Sequence, residues 1–443
     1  MAALGGFASI TKVPELRRRI AFTLMVLAIY RVGVFITIPG VDRGVMKQVV
    51  SGGQGLLGLF NLFSGGALAN LSVFALGIMP YISASIIVQL LGMVSKQVEE
   101  MRKEGEAGRR KLEQYTRYGT IVLSIFQSLG IAFMLEGLQN QSLGGNRFGD
   151  VVTNSGWPFR LTAIITLTTG TALLMWLGEQ ATERGIGNGI SLIIFASIVS
   201  GIPHGIGQYL QANSGQLQPL TIAIILAVIL ACVGIVVFFE QAQRRIPIQY
   251  ARRQVGRRIY GGQQAHLPLK VNMASMIPPI FASSLLAFPA TLAGFNIPGM
   301  SRFSSALNRQ DWVFHALYGA LIVFFCFFYT AVTFQPVDVA DNLKKQQANI
   351  PGIRPGKQTA EYIDRVLTRL TVGGSAYVAA ICIVPALIAQ GLKVPFQFGG
   401  TSLLIVVGVA LETSKQIEAH LITRSYEGLT GPRTTRLSGR RPA

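Results

Sequence analysis

The sequence predicts an all-α membrane protein of about ten transmembrane helices in two inverted five-helix halves, with both termini cytoplasmic. Three observations predict it. Of 443 residues, 50% are hydrophobic and only 13% charged, with a mean hydropathy of +0.45, whereas soluble domains carry about 25% charged residues. Apolar runs of roughly 20 residues, the length that crosses a ~30 Å hydrocarbon core, recur along the chain. Finally, two stretches of the first half reappear in the second at nearly one offset.

The runs fall at 20–38, 73–93, 118–137, 159–177, 187–202, 218–239, 271–294, 312–334, 371–389 and 400–418. The first is too long for a signal peptide's apolar region and ends in "TIPGVD" without a small-residue cleavage site, so it reads as a retained span. The 39 Lys and Arg against 20 Asp and Glu give a net charge of +19, and the excess alternates between connections. Arg17, Arg18 and Arg19 precede span 1, and Arg102, Lys103, Arg109, Arg110 and Lys111 lie between spans 2 and 3. Spans 6 and 7 are joined through Arg244, Arg245, Arg252, Arg253, Arg257, Arg258 and Lys270. The intervening connections are nearly bare of bases. The positive-inside rule then places the termini and the basic loops in the cytoplasm, which requires an even number of spans.

The chain divides accordingly into an N-terminal segment (1–19), a first half (20–203), an external connection (204–217), a second half (218–420) with basic loops at 240–270 and 335–370, and a basic tail (421–443). Glu240 is the one acid of the 240–270 loop against seven bases. Such a field attracts anionic phospholipid or a polyanion such as ribosomal RNA. Cys232, Cys326 and Cys382 all fall inside apolar runs without C-x-x-C spacing, and the four His are scattered. No metal set, nucleotide loop or catalytic triad is legible, so no enzyme chemistry and no cofactor is expected.

The repeat pairs Pro80 with Pro278, Ile82 with Ile280, Ala84 with Ala282 and Ser85 with Ser283. Further on, "GISLII" (189–194) matches "GTSLLI" (400–405), pairing Gly189 with Gly400 and Ser191 with Ser402. The offset spans five runs, an odd number, so the second copy crosses the bilayer in the opposite sense. Inverted repeats place the functional pathway between the halves, where Gly or Pro interrupts the helices, and such breaks need protein or water to satisfy the freed backbone. Spans 2, 5, 7 and 10 therefore line a pathway. Ile78, Ile82 and Ile86 form one stripe, as do Ile190 and Ile194. The acids sit at span ends (Glu136, Glu179, Glu240, Asp338, Glu412), unlike the mid-span carboxylates of an ion carrier. A hydrophobic constriction suits a gate. "LLGLFNLFSGGALANL" (56–71) is too short to span and reads as a re-entrant half-helix, or as an interfacial one. Arg31 is a mid-span charge without a carboxylate near it in sequence.

The runs "NLFSGGAL", "FALGIMPYISASII", "RKEGEAGRRK", "MWLGEQATERGIGNGIS", "HLPLKVNMA", "IPGIRPG" and "FGGTSLLIV" resemble the bacterial SecY family, the channel subunits of the protein-conducting translocon. The resemblance implies ten helices around a central pore that passes unfolded polypeptides across the plasma membrane. It implies a pore ring of Ile78, Ile82, Ile190, Ile194, Ile280 and Ile405, and a plug at about 57–71 that includes Phe60, Asn61, Phe63, Ser64, Gly65 and Gly66. A lateral gate is implied between spans 2 and 3 and spans 7 and 8, with Ser83, Gln89 and Asn272 on its seam; Asn272 reads equally as a helix-start residue. Docking of the SecA motor and of the ribosome is implied at Arg257, Arg258 and Arg354. The partners implied are SecE, SecG, SecA, the ribosome, preproteins with signal sequences, anionic phospholipids, SecDF and YidC. Pro279 and Pro247 depart from the family's expected small and aliphatic residues, and Pro279 is expected to alter the bend of span 7. The competing reading is an inverted-repeat secondary transporter.

Overall fold

The computed structural model describes residues 13–41, 61, 64–138, 142–143, 146–147, 152, 155–212, 219–250, 253–255, 258–260, 264–293, 312–391 and 400–430. The first half contains α1 (Pro14–Gly33), α2 (Met79–Val94), α3 (Lys96–Lys103), α4 (Glu106–Leu138), α5 (Trp157–Arg184) and α6 (Gly189–Ala212). The second contains α7 (Pro219–Gln241), α8 (Ile277–Ala293), α9 (Trp312–Thr333), α10 (Pro336–Lys345), α11 (Lys357–Gly391) and α12 (Gly400–Thr430). A helix stands at each of the ten apolar runs. Five described helices (α4, α5, α7, α9 continued into α10, and α11) are long and apolar enough to cross a membrane, and α2 with α3 makes a sixth if the pair, bent by 100°, counts as one.

Helix bounds depart from the apolar runs for identifiable reasons. The first helix is expected over 20–38 but runs from Pro14, which fits the first turn because its missing N–H has no helical partner there. It stops at Gly33, beyond which Thr37 bridges Ser72. The second is expected from residue 73 but starts at Met79. α4 and α11 extend well before their apolar runs, because hydropathy marks the apolar stretch while the hydrogen-bonded helix continues through charged turns.

The packing repeats between the halves. In the first, α1 packs on α5 and α6, α2 on α4, α4 on α5, and α5 on α6. In the second, α7 packs on α11 and α12, α8 on α9, α9 on α11, and α11 on α12. Each contact in one list has its counterpart in the other, and the first half adds a smaller one between α2 and α5. The two matched sequence stretches thus belong to a duplicated architecture. The halves meet through α2 with α8, α4 with α8, and α6 with α12. Two of these three pairs, α2 with α8 and α6 with α12, join a helix to its own repeat.

The basic loops do not stay loops. β3 (Gln243–Tyr250) pairs antiparallel with β6 (Gln264–Lys270) and, at Gln249 and Tyr250, with β7 (Ala348–Asn349). The remaining described strands form two small hairpins: β1 (Ser142–Leu143) with β2 (Asn146–Arg147), and β4 (Arg253–Val255) with β5 (Arg258–Tyr260). Ile246, Ile248 and Leu269 from the sheet bury with Leu343 of α10, Ala348, Ile350 and Ile363 of α11 in a core separate from the main one. Both basic loops therefore belong to one folded module. Pro247 lies on the central strand but beyond the reach of β7, where a missing N–H removes no bond to that neighbour.

Candidate functional site

The interruption "GIMP" acquires a geometry. Gly77 adopts φ +57, Ile78 is the N-cap of α2 at φ −94, and Pro80 lies in the first turn. Ile82 N–H makes an early helical bond to Ile78 O at 3.1 Å. The helix thus begins inside the protein, with Met79 and Pro80 buried.

The second copy repeats this. Ser275, the repeat partner of Gly77, adopts φ +51, and α8 starts two residues later with Pro278 and Pro279 in its first turn. A left-handed serine is strained, and its neighbours hold it. Asn272 Nδ2 donates to Ser275 O at 3.1 Å and to Glu240 Oε1 at 2.7 Å, and Ser275 Oγ donates to Glu240 Oε2 at 3.4 Å. Because Pro279 occupies the first turn of α8, its missing N–H costs no helical bond.

Spans 5 and 10 begin alike. Asn188 Oδ1 caps α6 by accepting from Ile190 N and Ser191 N at 3.1 and 3.4 Å. A Cβ on Gly189 would overlap Gly178 O of α5, and one on its partner Gly400 would overlap Ile381 O of α11. Since α5 and α11 are themselves repeat counterparts, the same glycine serves the same close approach twice.

Ile78, Ile82, Ile194, Ile280 and Ile405 are all buried in the main core, between 0 and 7% exposed, and Ile190 packs against it. Carbon-only side chains from four helices of both halves thus share one cluster. Water that enters such a constriction finds no hydrogen-bonding partner, which is the basis of a dewetting seal.

Of the expected plug, Phe60 and Phe63 lie outside the described residues. Asn61 is helical, and residues 64–71 are a chain of turns with Gly65 and Gly66 at φ +63 and +85. Asn61 organises them: its O accepts from Gly66 N at 2.9 Å and its Oδ1 from Ala69 N at 3.0 Å. Two consecutive left-handed glycines forbid a continuous helix there.

Of the residues expected on the seam between halves, Ser83 is half-buried, and Gln89 Nε2 donates to Ser85 Oγ at 3.2 Å within α2. Asn272 turns instead toward Glu240 in its own half. Sequence reading passed over Gln127 on α4, 2% exposed, and Ser284 on α8, 4% exposed beside the repeat-matched Ser283. Ser284 Oγ reaches Met79 Sδ across the halves at 3.8 Å. Gln89 Oε1 and Gln127 Oε1 are buried without a hydrogen-bond partner among the described residues. The signal that finds them is a glutamine or serine pair inside an apolar run. Another overlooked residue is Arg102, which donates from α3 to Val332 O at the end of α9, joining the halves at the charged end of the seam.

Arg354 is exposed on the 351–356 turn, where Gly352 and Gly356 take φ +81 and +102 and Thr359 Oγ1 donates to Arg354 O at 2.9 Å. Arg258 lies on β5 opposite Val255, and Arg257 lies outside the described residues. Two of the span-end carboxylates pair with bases: Glu136 with Arg160 at 2.6 Å, and Glu179 with Arg117 at 2.8 Å.

Comparison with known proteins agrees with this arrangement. The protein translocase subunit SecY of Escherichia coli (strain K12) is 50% identical over 420 residues, covering 93% of each chain. Its counterpart in Vibrio cholerae is 49% identical over 425 residues, covering 94% of each. Among solved structures, one described as a protein-conducting channel superposes with a TM-score of 0.65 at 18% identity, over 94% of this chain and 95% of that one. Sec61 from a canine ribosome–channel complex gives 0.62 at 17%, over the same shares. The SecY family profile matches residues 72–414, from the turn before α2 to the middle of α12. With duplicated broken helices, an aliphatic core between them and this similarity along nearly its whole length, the chain belongs to the SecY family.

Proposed function

We propose that this chain is the channel-forming subunit of a protein translocase in the bacterial plasma membrane, passing unfolded preproteins across it and releasing membrane spans sideways into lipid. The observation that carries the reading is the isoleucine cluster between repeat-related helices, with helix starts broken by Gly77 and Ser275 on either side. A conduit for chemically varied chains must bind none of them tightly, and branched aliphatic side chains offer contact without hydrogen bonds or charge. Closed, they exclude water; occupied, they pack round the moving chain.

The channel is passive and not an enzyme. Work comes from SecA or from the ribosome, docking on the module that joins the two basic loops and exposes Arg354. SecE and SecG complete the assembly, with SecDF and YidC as further associates. Anionic phospholipid meets the basic face. The α2/α8 and α4/α8 contacts form the lateral gate, where Ser83, Gln89, Gln127 and Ser284 interrupt an otherwise apolar seal. Incompletely bonded amides there make parting cheaper, at ~1 kcal/mol for each bond that need not be broken.

The test places a photo-crosslinking residue at Ile82 and, separately, at Ile280 and presents a ribosome-stalled secretory chain. Crosslinks from both to the interior of the chain are expected. Stable docking with no crosslink from either would make the isoleucines ordinary core and restore the transporter reading.

A further inference from the structure

Arg31, the mid-span charge, has a use that its sequence neighbourhood does not show. It and Tyr30 lie near the end of α1 and both reach the turn at 64–66. Tyr30 Oη donates to Ser64 O at 2.9 Å and lies 2.6 Å from Ser197 Oγ of α6. Ser197 Oγ also donates to Ile193 O at 2.8 Å, so the two hydroxyl hydrogens of Tyr30 and Ser197 are shared among Ser64 O, Ile193 O and the contact between the two hydroxyls. Arg31 Nη1 carries two hydrogens and has two acceptors, Gly65 O at 3.1 Å and Ser200 Oγ at 2.8 Å. Ser200 in turn donates to Ser197 O at 2.8 Å. Two successive carbonyls of the turn are therefore held by two successive residues of α1, each oriented by a serine on one face of α6.

The fit is close. Tyr30 is 1% exposed and stacks on Phe74 with ring centroids 5.9 Å apart. A Cβ on Gly65 would come within 2.9 Å of both Ser197 Cα and Tyr30 Oη, so the turn approaches α1 and α6 as only glycine allows. Ser64 O also accepts from Ala67 N at 3.2 Å, so Tyr30 fills the second acceptor site of a carbonyl already engaged within the turn. A guanidinium donor in a low-dielectric surrounding makes one of the stronger bonds available. Every donor and brace belongs to the first half, so parting the halves along α2/α8 leaves this attachment intact.

We propose that Tyr30 and Arg31, braced by Ser197 and Ser200, are positioning residues that latch the 64–66 turn to the first half, and that breaking this latch is a step separate from opening the seam. The proposal rests on the reading of 57–71 as a plug. It predicts that the resting seal, rather than docking or assembly, depends on these four side chains.

The test measures resting ion conductance of the complete translocase complex in planar bilayers. Variants are Tyr30→Phe, which keeps the ring on Phe74, Ser200→Ala, Arg31→Met, and a chain lacking residues 57–67, alone and combined with Tyr30→Phe. Tyr30→Phe and Arg31→Met should each raise the open fraction about tenfold, Ser200→Ala less, and Tyr30→Phe should add nothing once 57–67 are gone. If the deletion opens the channel while Tyr30→Phe and Ser200→Ala leave conductance unchanged, the latch is wrong and the plug reading stands. If the deletion itself leaves conductance unchanged, the plug reading fails and takes the latch with it. A leak from Tyr30→Phe that adds to that of the deletion would assign Tyr30 to the pore wall and overturn the latch.

Discussion

Adjacent residues of one helix can carry opposite obligations. Gly373 and Gly374 follow each other on α11: a Cβ at Gly373 meets nothing within 4 Å, whereas one at Gly374 would lie 2.5 Å from Val271 O. Gly373→Ala should stabilise by up to about 1 kcal/mol through helix propensity, and Gly374→Ala should destabilise by about 1–3 kcal/mol because the obstacle is backbone. Melting of the purified complex, compared variant by variant, reads the difference in sign. The isoleucines have a different kind of obligation, toward water. Ile82→Ser or Ile280→Ser puts a hydroxyl where both side chains are at most 7% exposed, and ion leak through the resting channel should rise. Unchanged conductance in both would count against the ring. The identity of these isoleucines was legible from the repeat and the resemblance; the left-handed Ser275 was not, because a serine carries no φ in its name and is held there by Glu240 from another helix.

At the scale of elements, the module built from β3, β6, β7 and α10 shows where linear reading stops. Charge patterning marks both loops as basic and places them on one side, yet Gln249 pairs with Asn349 a hundred residues on. The strand burial alternates, Ile246 and Ile248 inward with Pro247 outward, which is a half-buried strand pattern. Leu269, wholly buried in this module, should cost about 2–5 kcal/mol when cut to alanine. Hydrogen exchange should then accelerate in 243–250, 264–270 and 348–350 while α4, α5 and α9 keep their protection. Equal acceleration in those spans would show that the module is not a separate unit. If the module is the proposed docking site for SecA and the ribosome, their binding should fall with it, since the exposed Arg354 turn leaves the same module.

The whole molecule is two copies of one five-helix plan, closed on each other along α2/α8, α4/α8 and α6/α12. If the first two contacts are the gate, joining them covalently should stop lateral release while sparing docking. Cysteines at Met79 and Ser284, whose side chains touch, joined by a short thiol crosslinker in a chain lacking Cys232, Cys326 and Cys382, provide the case. Membrane integration should be lost on crosslinking and regained when a cleavable linker is reduced. Integration at the full rate through a joined seam would place the exit elsewhere.

By itself the sequence determined the membrane class, a helix at each of ten apolar runs, and the duplication. Those follow from composition, from runs of bilayer length and from matched stretches, all of which are local or counted along the chain. Only the tertiary structure decided where helices truly begin, which polar side chains meet across the halves, and that two distant basic loops are one module. It also decided what Arg31 bonds to. Its acceptors, Gly65 O and Ser200 Oγ, lie 34 and 169 residues away along the chain. A half-buried charge is satisfied by whatever acceptors the packing delivers to it, and that is set by the approach of backbones rather than by order in sequence.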